Sequence, residues 1–354
     1  MTQKRPIKIR EDCRRDGIAA NFLIDSAMMR TLAQAFPESI LCTGYPSICS
    51  EEEKRVAQIL DALKDTSVES AVYGHAIDTH LEQIGKLIEP YQNASACFWI
   101  PTSDHFIAQT LNGWKPDDVL SNAVSLVENF TNRYGKPIDV ALADTTRTEN
   151  GLKGRLAEWC SRLSQVGARS LLICDSMGIG NKDLSAKIFE AIRSKYNGLL
   201  EFHGHNDNGN AVDQAHVAVE HGTKIINTAL FNASERGTLL SPQQVLHAGY
   251  TFEHSDEKLA EFIREYNAKI GNPLQIIQEV YGPSTIVTGS QYRLRSRFAD
   301  PKLLFGVTSD RFIYRKMTGS TSPDEIARQE MERLKNALYR DKKLCYSQRD
   351  LKLA

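Results

Sequence analysis

No run of 18 or more apolar residues occurs in this 354-residue chain, so no segment has the length of a membrane-spanning helix. Cys-x-x-Cys is also missing. The seven cysteines (13, 42, 49, 97, 160, 174 and 345) are scattered and odd in number, which argues against a disulfide scaffold. Charge of one sign is not in excess. With 43 Lys and Arg against 44 Asp and Glu, the formal net charge is -1, and no global field draws the chain to nucleic acid or a membrane surface. The opening residues, Met1-Thr-Gln-Lys-Arg-Pro6, contain no apolar signal core. These absences lead us to expect a cytoplasmic protein with mostly buried thiols in a reducing compartment. Its partners should be small molecules, with no nucleic acid and no membrane. Internal repeats and low-complexity tracts do not stand out.

What is present is an alternation. Eight β-like runs, Ile7–Glu11, Ser39–Gly44, Ser70–His75, Ala96–Pro101, Asp139–Asp144, Ser170–Asp175, Leu199–His205 and Ile225–Leu230, are separated by helix-length amphipathic segments. The helical patterns include Glu51–Lys64, Asp117–Tyr134, Leu152–Val166, Asp183–Tyr196 and Ala211–His221. Gly135, Gly167 and Gly222 stand where helices should stop, and Ser50 with Glu53 reads as a capping box. The class is therefore α/β. Eight repeats predict a closed (β/α)₈ TIM barrel over residues 1–250. The runner-up, an open doubly wound sheet, usually carries a glycine-rich turn after its first strand, and none follows Ile7–Glu11. Beyond residue 250 the pattern changes to helices at Asp256–Ile270 and Ser322–Tyr339 around a Gly/Pro-punctuated stretch, Gly271–Pro301. A mostly helical C-terminal appendage over 251–354 is expected.

In such barrels chemistry sits at the C-terminal ends of the strands. Seven of the eight predicted strand ends carry acids, bases or hydroxyls, more than scattered solvent-facing loops would give. His203 and His205 lie two apart at the end of the seventh run, so on a strand both leave the same face. Two imidazoles so placed can hold one divalent metal. His-x-His alone reads equally as two core or surface histidines. A carboxylate would complete an open catalytic set, and Asp16 after the first strand is the candidate. Arg15 beside it can pair with a carbonyl or carboxylate of a substrate.

Arg15-Asp16-Gly17, followed some 190 residues on by His203-Gly-His205-Asn-Asp207, resembles the DRE-TIM metallolyase superfamily of metal-dependent barrel condensing enzymes and lyases. Further matches are similar to its isopropylmalate and homocitrate synthase branch. They are Gly44-Tyr45-Pro46, Thr102-Ser103-Asp104-His105, Asp144-Thr-Thr-Arg147, Asp175-Ser176-Met-Gly178 and Glu235-Arg236. The resemblance runs from about Ile7 to Gly249. It implies a divalent metal (Mn²⁺, Mg²⁺ or Zn²⁺) on Asp16, His203 and His205. Catalytic roles would fall to Arg15 and Glu235, and substrate-binding roles to Arg15, His75, Arg147 and Ser176. The implied reaction condenses an acyl-CoA, with acetyl-CoA the first choice, with a 2-oxo acid, in a homodimer whose appendage reaches the partner's barrel. The alternatives are a metal-dependent aldolase or lyase, or a diverged 2-oxo-acid-binding member without catalysis. By side-chain chemistry, Arg147 has the alternative of an ion pair with Asp144 or Glu149, and His75 reads equally as a core histidine.

The chain departs from the pattern at several places. Ile18-Ala19 stand where the family has glutamine or glutamate, Cys42 and Ala143 replace acids, and Leu239 falls where many members have a ligating asparagine. The synthases' C-terminal histidine has no counterpart, because the last histidine is His254. In the corresponding stretch Arg293, Arg295 and Arg297 alternate. They form either a face for phosphates or a carboxylate, or a solvated basic edge.

Overall fold

The fold follows from eight strands buried on both faces. The computed structural model describes residues 5–151, 154–281, 285–286 and 302–353. Its barrel strands are β1 Lys8–Glu11, β2 Ile40–Gly44, β3 Glu69–His75, β4 Ala94–Pro101, β5 Ile138–Ala143, β6 Ser170–Asp175, β7 Leu199–Gly204 and β8 Ile225–Thr228. They pair in parallel and in chain order, and β8 returns to β1 with Lys8 opposite Ile225 and Glu11 opposite Thr228. That closure excludes the open doubly wound sheet. Because helices cover the outside and side chains fill the lumen, the strands read as near-continuous apolar runs. Cys42, Ala71, Tyr73, Cys97, Ala141, Leu172 and Cys174 pack together as one cluster. Their neighbours Val72, Phe98, Val140, Leu142, Leu171, Ile173 and Phe202 join the larger core with the helices.

Charge is also built into the barrel. Arg10 of β1 bonds Glu201 of β7 twice at 2.7 Å and Asp139 of β5 at 2.6 Å, all of them buried. All seven cysteines are free and buried. Among the described residues no helix is long and apolar enough to cross a membrane.

Helices α1 Ser26–Ala35, α2 Ser50–Leu63, α3 Asp78–Ile88, α4 Pro116–Tyr134, α5 Arg155–Gln165, α6 Lys182–Arg193 and α7 Ala211–Glu220 follow the first seven strands. One local expectation fails. The Ser50/Glu53 capping box does not form, because Cys49 occupies the cap position and makes no side-chain cap. The start of α2 is instead served from far along the chain. Asn336 Oδ1 accepts from the Glu51 amide at 3.2 Å, and the Asn336 amide donates to Ser50 Oγ at 3.2 Å.

Asn336 belongs to the C-terminal helical region. There α8 Asp256–Lys269 packs on α1, and α9 Arg311–Thr318 and α10 Asp324–Asp341 complete the region's main helices. Along α10, Ala327, Met331, Leu334, Leu338 and Tyr339 form the buried stripe that a 3.6-residue period predicts. They share a core with Ile18, Phe22 and Cys49 of the barrel's first two loops. Tyr339 donates to Glu52, which holds the buried Arg14 through two bonds of 2.7 and 2.8 Å. Helix α10 is thereby fastened beside the chain's own barrel mouth. Arg293, Arg295 and Arg297 lie outside the described residues.

Candidate metal centre and cavity

The turn after β1 is drawn around one carbonyl. The Asp12 oxygen accepts from the amides of Arg15, Asp16 and Gly17 at 2.8, 2.9 and 3.2 Å. Glycine is required at position 17 because the loop after β8 passes very close. A Cβ there would lie 2.2 Å from the carbonyl oxygen of Ala233. The turn presents Arg15 and Asp16 to the end of β7, where His203 ends the strand's inward row and His205 lies just past it. The two buried imidazoles are 5.3 Å apart, centroid to centroid. Their Nε2 atoms lie 3.9 Å (His203) and 3.7 Å (His205) from the two oxygens of Asp16.

The hydrogen-bond partners of both imidazoles put the ring proton on Nδ1. Arg15 Nη1 lies 3.3 Å from His203 Nε2, and since a guanidinium can only donate, that nitrogen is the acceptor. The ring proton is then on Nδ1, 3.2 Å from Asn227 Oδ1. Asn227 is itself oriented, because its amide nitrogen donates to the Glu201 carboxylate at 2.9 Å, which leaves the oxygen facing His203. Asp12 also comes to 3.2 Å from Nδ1 but lacks hydrogen-bond geometry, so the bond belongs to Asn227. His205 Nδ1 lies 3.0 Å from the Thr238 hydroxyl, which is 3.2 Å from both the Asp207 carboxylate and the Glu235 carbonyl. Those two only accept, so the hydroxyl gives its proton to one of them and receives the Nδ1 proton.

Electrostatics act on the charges of Asp16 and His205 in opposite senses. Burial opposes a charge on Asp16, but His205, Arg15, His203 and the Glu235 amide outweigh it and hold the carboxyl down to about 2. Burial pushes His205 well below the ordinary imidazole range, and Arg236, His203 and Arg15 add to this against the pull of Asp16. A carboxylate and two imidazoles converge here, with ligand atoms all within 4.8 Å of one another. Metal–ligand bonds of roughly 2.0–2.2 Å place donors on one ion about 3–4 Å apart, so this set fits a divalent ion with positions left open. Asn227 and Thr238 are the outer hydrogen-bond partners that ligating imidazoles usually have.

A cavity of about 450 Å³ opens from this cluster. Of the residues singled out from the sequence, Arg15, Asp16, His75, Ser176, His203, His205 and Glu235 all line it. Arg15 donates to Asp16 at 2.8 Å and stands 5.1 Å over the Tyr73 ring. The Glu235 amide donates to Asp16 at 3.1 Å. Ser176 Oγ accepts from the Asp144 amide at 2.9 Å. His75 stands between Tyr45 and Trp99, with ring centroids at 5.8 and 6.2 Å, and its exposed edge looks into the cavity.

Arg147 is placed differently. Its Nε donates to both oxygens of Asp144 at 2.8 Å, and it is not on the described cavity wall, which favours the ion-pair reading of that residue. Leu239 is buried and bridges its backbone to His205. Ile18, Ala19 and Ala143, where the chain departs from the family pattern, form an apolar part of the wall.

Asn227 and Thr238 behind the imidazoles, and His80, Ser309, Asp310, Met331 and Lys335 on the wall, were not foreseen from the sequence. Two of these carried a signal. Asn227 is a polar residue inside an apolar strand, and Lys335 falls on the apolar stripe of α10 between Met331 and Leu338.

Comparison with known proteins gives a family and a fold. The HMGL-like family matches residues 24–247. The 2-isopropylmalate synthase of Methylococcus capsulatus is 22% identical over 255 residues, 69% of this chain and 48% of that protein. The homocitrate synthase of Sulfurisphaera tokodaii is 23% identical over 235 residues, 63% of this chain and 49% of that protein. The chain thus spans about half the length of these curated relatives. Among solved structures, the HMG-CoA lyase from Brucella melitensis superposes with a TM-score of 0.61 at 13% identity, covering 78% of this chain and 99% of that one. Hydroxymethylglutaryl-CoA lyase from Pseudomonas aeruginosa gives 0.62 at 14%, covering 79% and 99%. At such identities the superpositions speak for the fold alone.

Proposed function

The chain belongs to the HMGL-like family, and from that premise we propose that it is a divalent-metal-dependent enzyme that condenses an acyl-CoA, acetyl-CoA first, with a 2-oxo acid. The observation that carries this reading is the convergence of Asp16, His203 and His205 beside Arg15 in one cavity. A divalent ion held by those three side chains would supply Lewis acidity toward the ketone and carboxylate of the oxo acid. Arg15 donates to the ketone oxygen and offsets the negative charge that grows there as the new bond forms. A base takes the proton of the acyl α-carbon, that carbon bonds to the ketone carbon, the resulting alkoxide takes up a proton, and water then cleaves the thioester to a carboxylic acid and CoA thiol. Glu235 acts from the wall beside Asp16, and Ser176 and His75 contact the oxo acid. Trp99, Phe106 and Met331 supply apolar wall to the same cavity.

The test is release of CoA thiol from acetyl-CoA across a panel of 2-oxo acids, after chelation and again with Mn²⁺ or Mg²⁺ restored. Metal-dependent release with at least one acid supports the reading. Tight metal binding without release in any pairing overturns it, and cleavage of a hydroxy-acid product in the same assay would favour the lyase direction.

A further inference from the structure

Lys335 is a charged side chain in an unusual place. The residue is 8% exposed, lies on the apolar stripe of α10, and lines the same cavity as the metal-ligand set. Among the described residues it makes no hydrogen bond or ion pair. Of the groups whose charges reach it, the Cys49 thiol is pushed up to about 11, mainly by burial, and stays neutral at physiological pH, while Asp310 and Glu332 lie beyond salt-bridge reach. Asp310 lies on the same wall but forms no salt bridge with Lys335, and the other near neighbours are imidazoles. His75 lies near enough to feel the lysine's charge, and burial, His80 and Lys335 together keep it below the ordinary imidazole range. His80 Nδ1 accepts from the His75 amide at 3.4 Å, so its ring proton is on Nε2. Burial lowers the Lys335 ammonium to about 8, which still leaves it mostly protonated at neutral pH.

A partnerless ammonium on a largely apolar wall is costly unless something brings it a counter-charge. Within the cavity, Arg15 with the metal-ligand set accounts for one anionic end of a ligand. A second anionic group is needed elsewhere. We propose that Lys335, supplied by the chain's own C-terminal helix, receives a second carboxylate of the oxo acid, so that the preferred substrate is a 2-oxo dicarboxylic acid spanning from Arg15 to Lys335. This rests on the 2-oxo acid reading of the cavity. A phosphate of CoA has similar chemistry, but the carboxylate is favoured because Lys335 lines the same cavity as the metal-ligand set, together with Trp99 and Phe106.

Binding to the full, metal-loaded chain tests this directly, by calorimetry and by quenching of Trp99, which lines the cavity. The probes are 2-oxo diacids of four to six carbons, each against the monoacid of the same length, and CoA alone. Wild type should bind at least one diacid about tenfold or more tighter than its monoacid partner. Lys335→Met should erase that preference while monoacid affinity stays within about twofold, and Lys335→Arg should keep part of it. A purely structural role for Lys335 would weaken both acid classes together. An unchanged preference in Lys335→Met, equal loss for both classes, or loss of CoA binding alone overturns the proposal and leaves the condensing-enzyme reading standing. If no 2-oxo acid binds the metal-loaded wild type, the reading of the cavity itself falls, and the proposal with it.

Discussion

His203 Nδ1 lies 3.2 Å from Asn227 Oδ1, and the amide nitrogen of Asn227 is tied to Glu201 at 2.9 Å. One strand-buried asparagine therefore decides which nitrogen of a candidate metal ligand carries the proton. Glu201 is fixed in turn by Arg10, so the tautomer is anchored in the charge network of the barrel interior.

From this relationship we expect Asn227→Ala to weaken Mn²⁺ or Zn²⁺ binding about 10–100-fold, the usual effect of losing an outer partner of a ligating imidazole. Competition with a fluorescent chelator reads the affinity, and thermal unfolding confirms that the variant is folded. Wild-type metal affinity in a folded Asn227→Ala would mean that His203 is not a ligand or needs no orienting partner.

Gly17 gives a second test, because the site depends on the loop after β8 lying against the turn after β1. Gly17→Ala places a methyl 2.2 Å from the Ala233 oxygen, a contact that forces the loops apart. Overpacking of this kind costs about 1–3 kcal/mol, and here it should fall on the metal cluster, since Glu235 of the displaced loop donates to Asp16. Gly113→Ala is the control: its φ of +81° brings a backbone strain that Gly17, at φ −89°, does not have, but its Cβ would meet open space. Metal affinity should drop in the first variant and hold in the second. Equal behaviour of the two would remove the close approach from the account.

The joint between the C-terminal helix and the barrel predicts stability effects. Glu52 is buried, holds Arg14 through two bonds and accepts from Tyr339. Glu52→Ala strands the Arg14 cation in the interior, which costs about 3–5 kcal/mol. Tyr339→Phe removes one charge-assisted hydrogen bond and should cost about 1.5–3 kcal/mol, with α10 amides losing hydrogen-exchange protection first. Urea unfolding measures both. A Glu52→Ala variant as stable as wild type would contradict the joint.

The parts of the molecule readable from the chain alone were those with a strong local period. Eight apolar runs punctuated by Gly135, Gly167 and Gly222 gave the barrel, because strands buried on both faces leave continuous hydrophobic signatures. His203 and His205 were legible because two residues apart on a strand means one face. Long-range pairing left no local trace. The start of α2 is served by Asn336, 285 residues beyond Glu51, so the nearby Ser50/Glu53 pattern misled. Arg147 has the residue type of a substrate contact, but Asp144, three positions earlier, takes its Nε. Lys335 broke the apolar stripe of its own helix, and that local inconsistency marks a residue whose environment includes a distant cavity.

The same lysine makes a pH-dependent stability prediction with a definite sign. Burial depresses its ammonium from 10.5 to about 8, so the folded chain binds fewer protons there than the unfolded chain does. Stability from this group is present above the unfolded value of 10.5 and is lost as pH falls through about 8, where the buried charge exerts its full penalty. Lys335→Met keeps the length and removes the charge. Without ligand it should be more stable than wild type at pH 7, by up to roughly 3 kcal/mol, and the gap should close as pH rises from 8 toward 10. Every other titrating group is common to both proteins, so the difference between their urea midpoints across pH isolates this residue. A saturating 2-oxo diacid should stabilise wild type more than the variant and narrow the gap at pH 7, because the counter-charge is then in place. If Lys335→Met is instead less stable than wild type at pH 7 without ligand, the ammonium already has a partner in the folded chain, and the second carboxylate is not needed to complete the cavity.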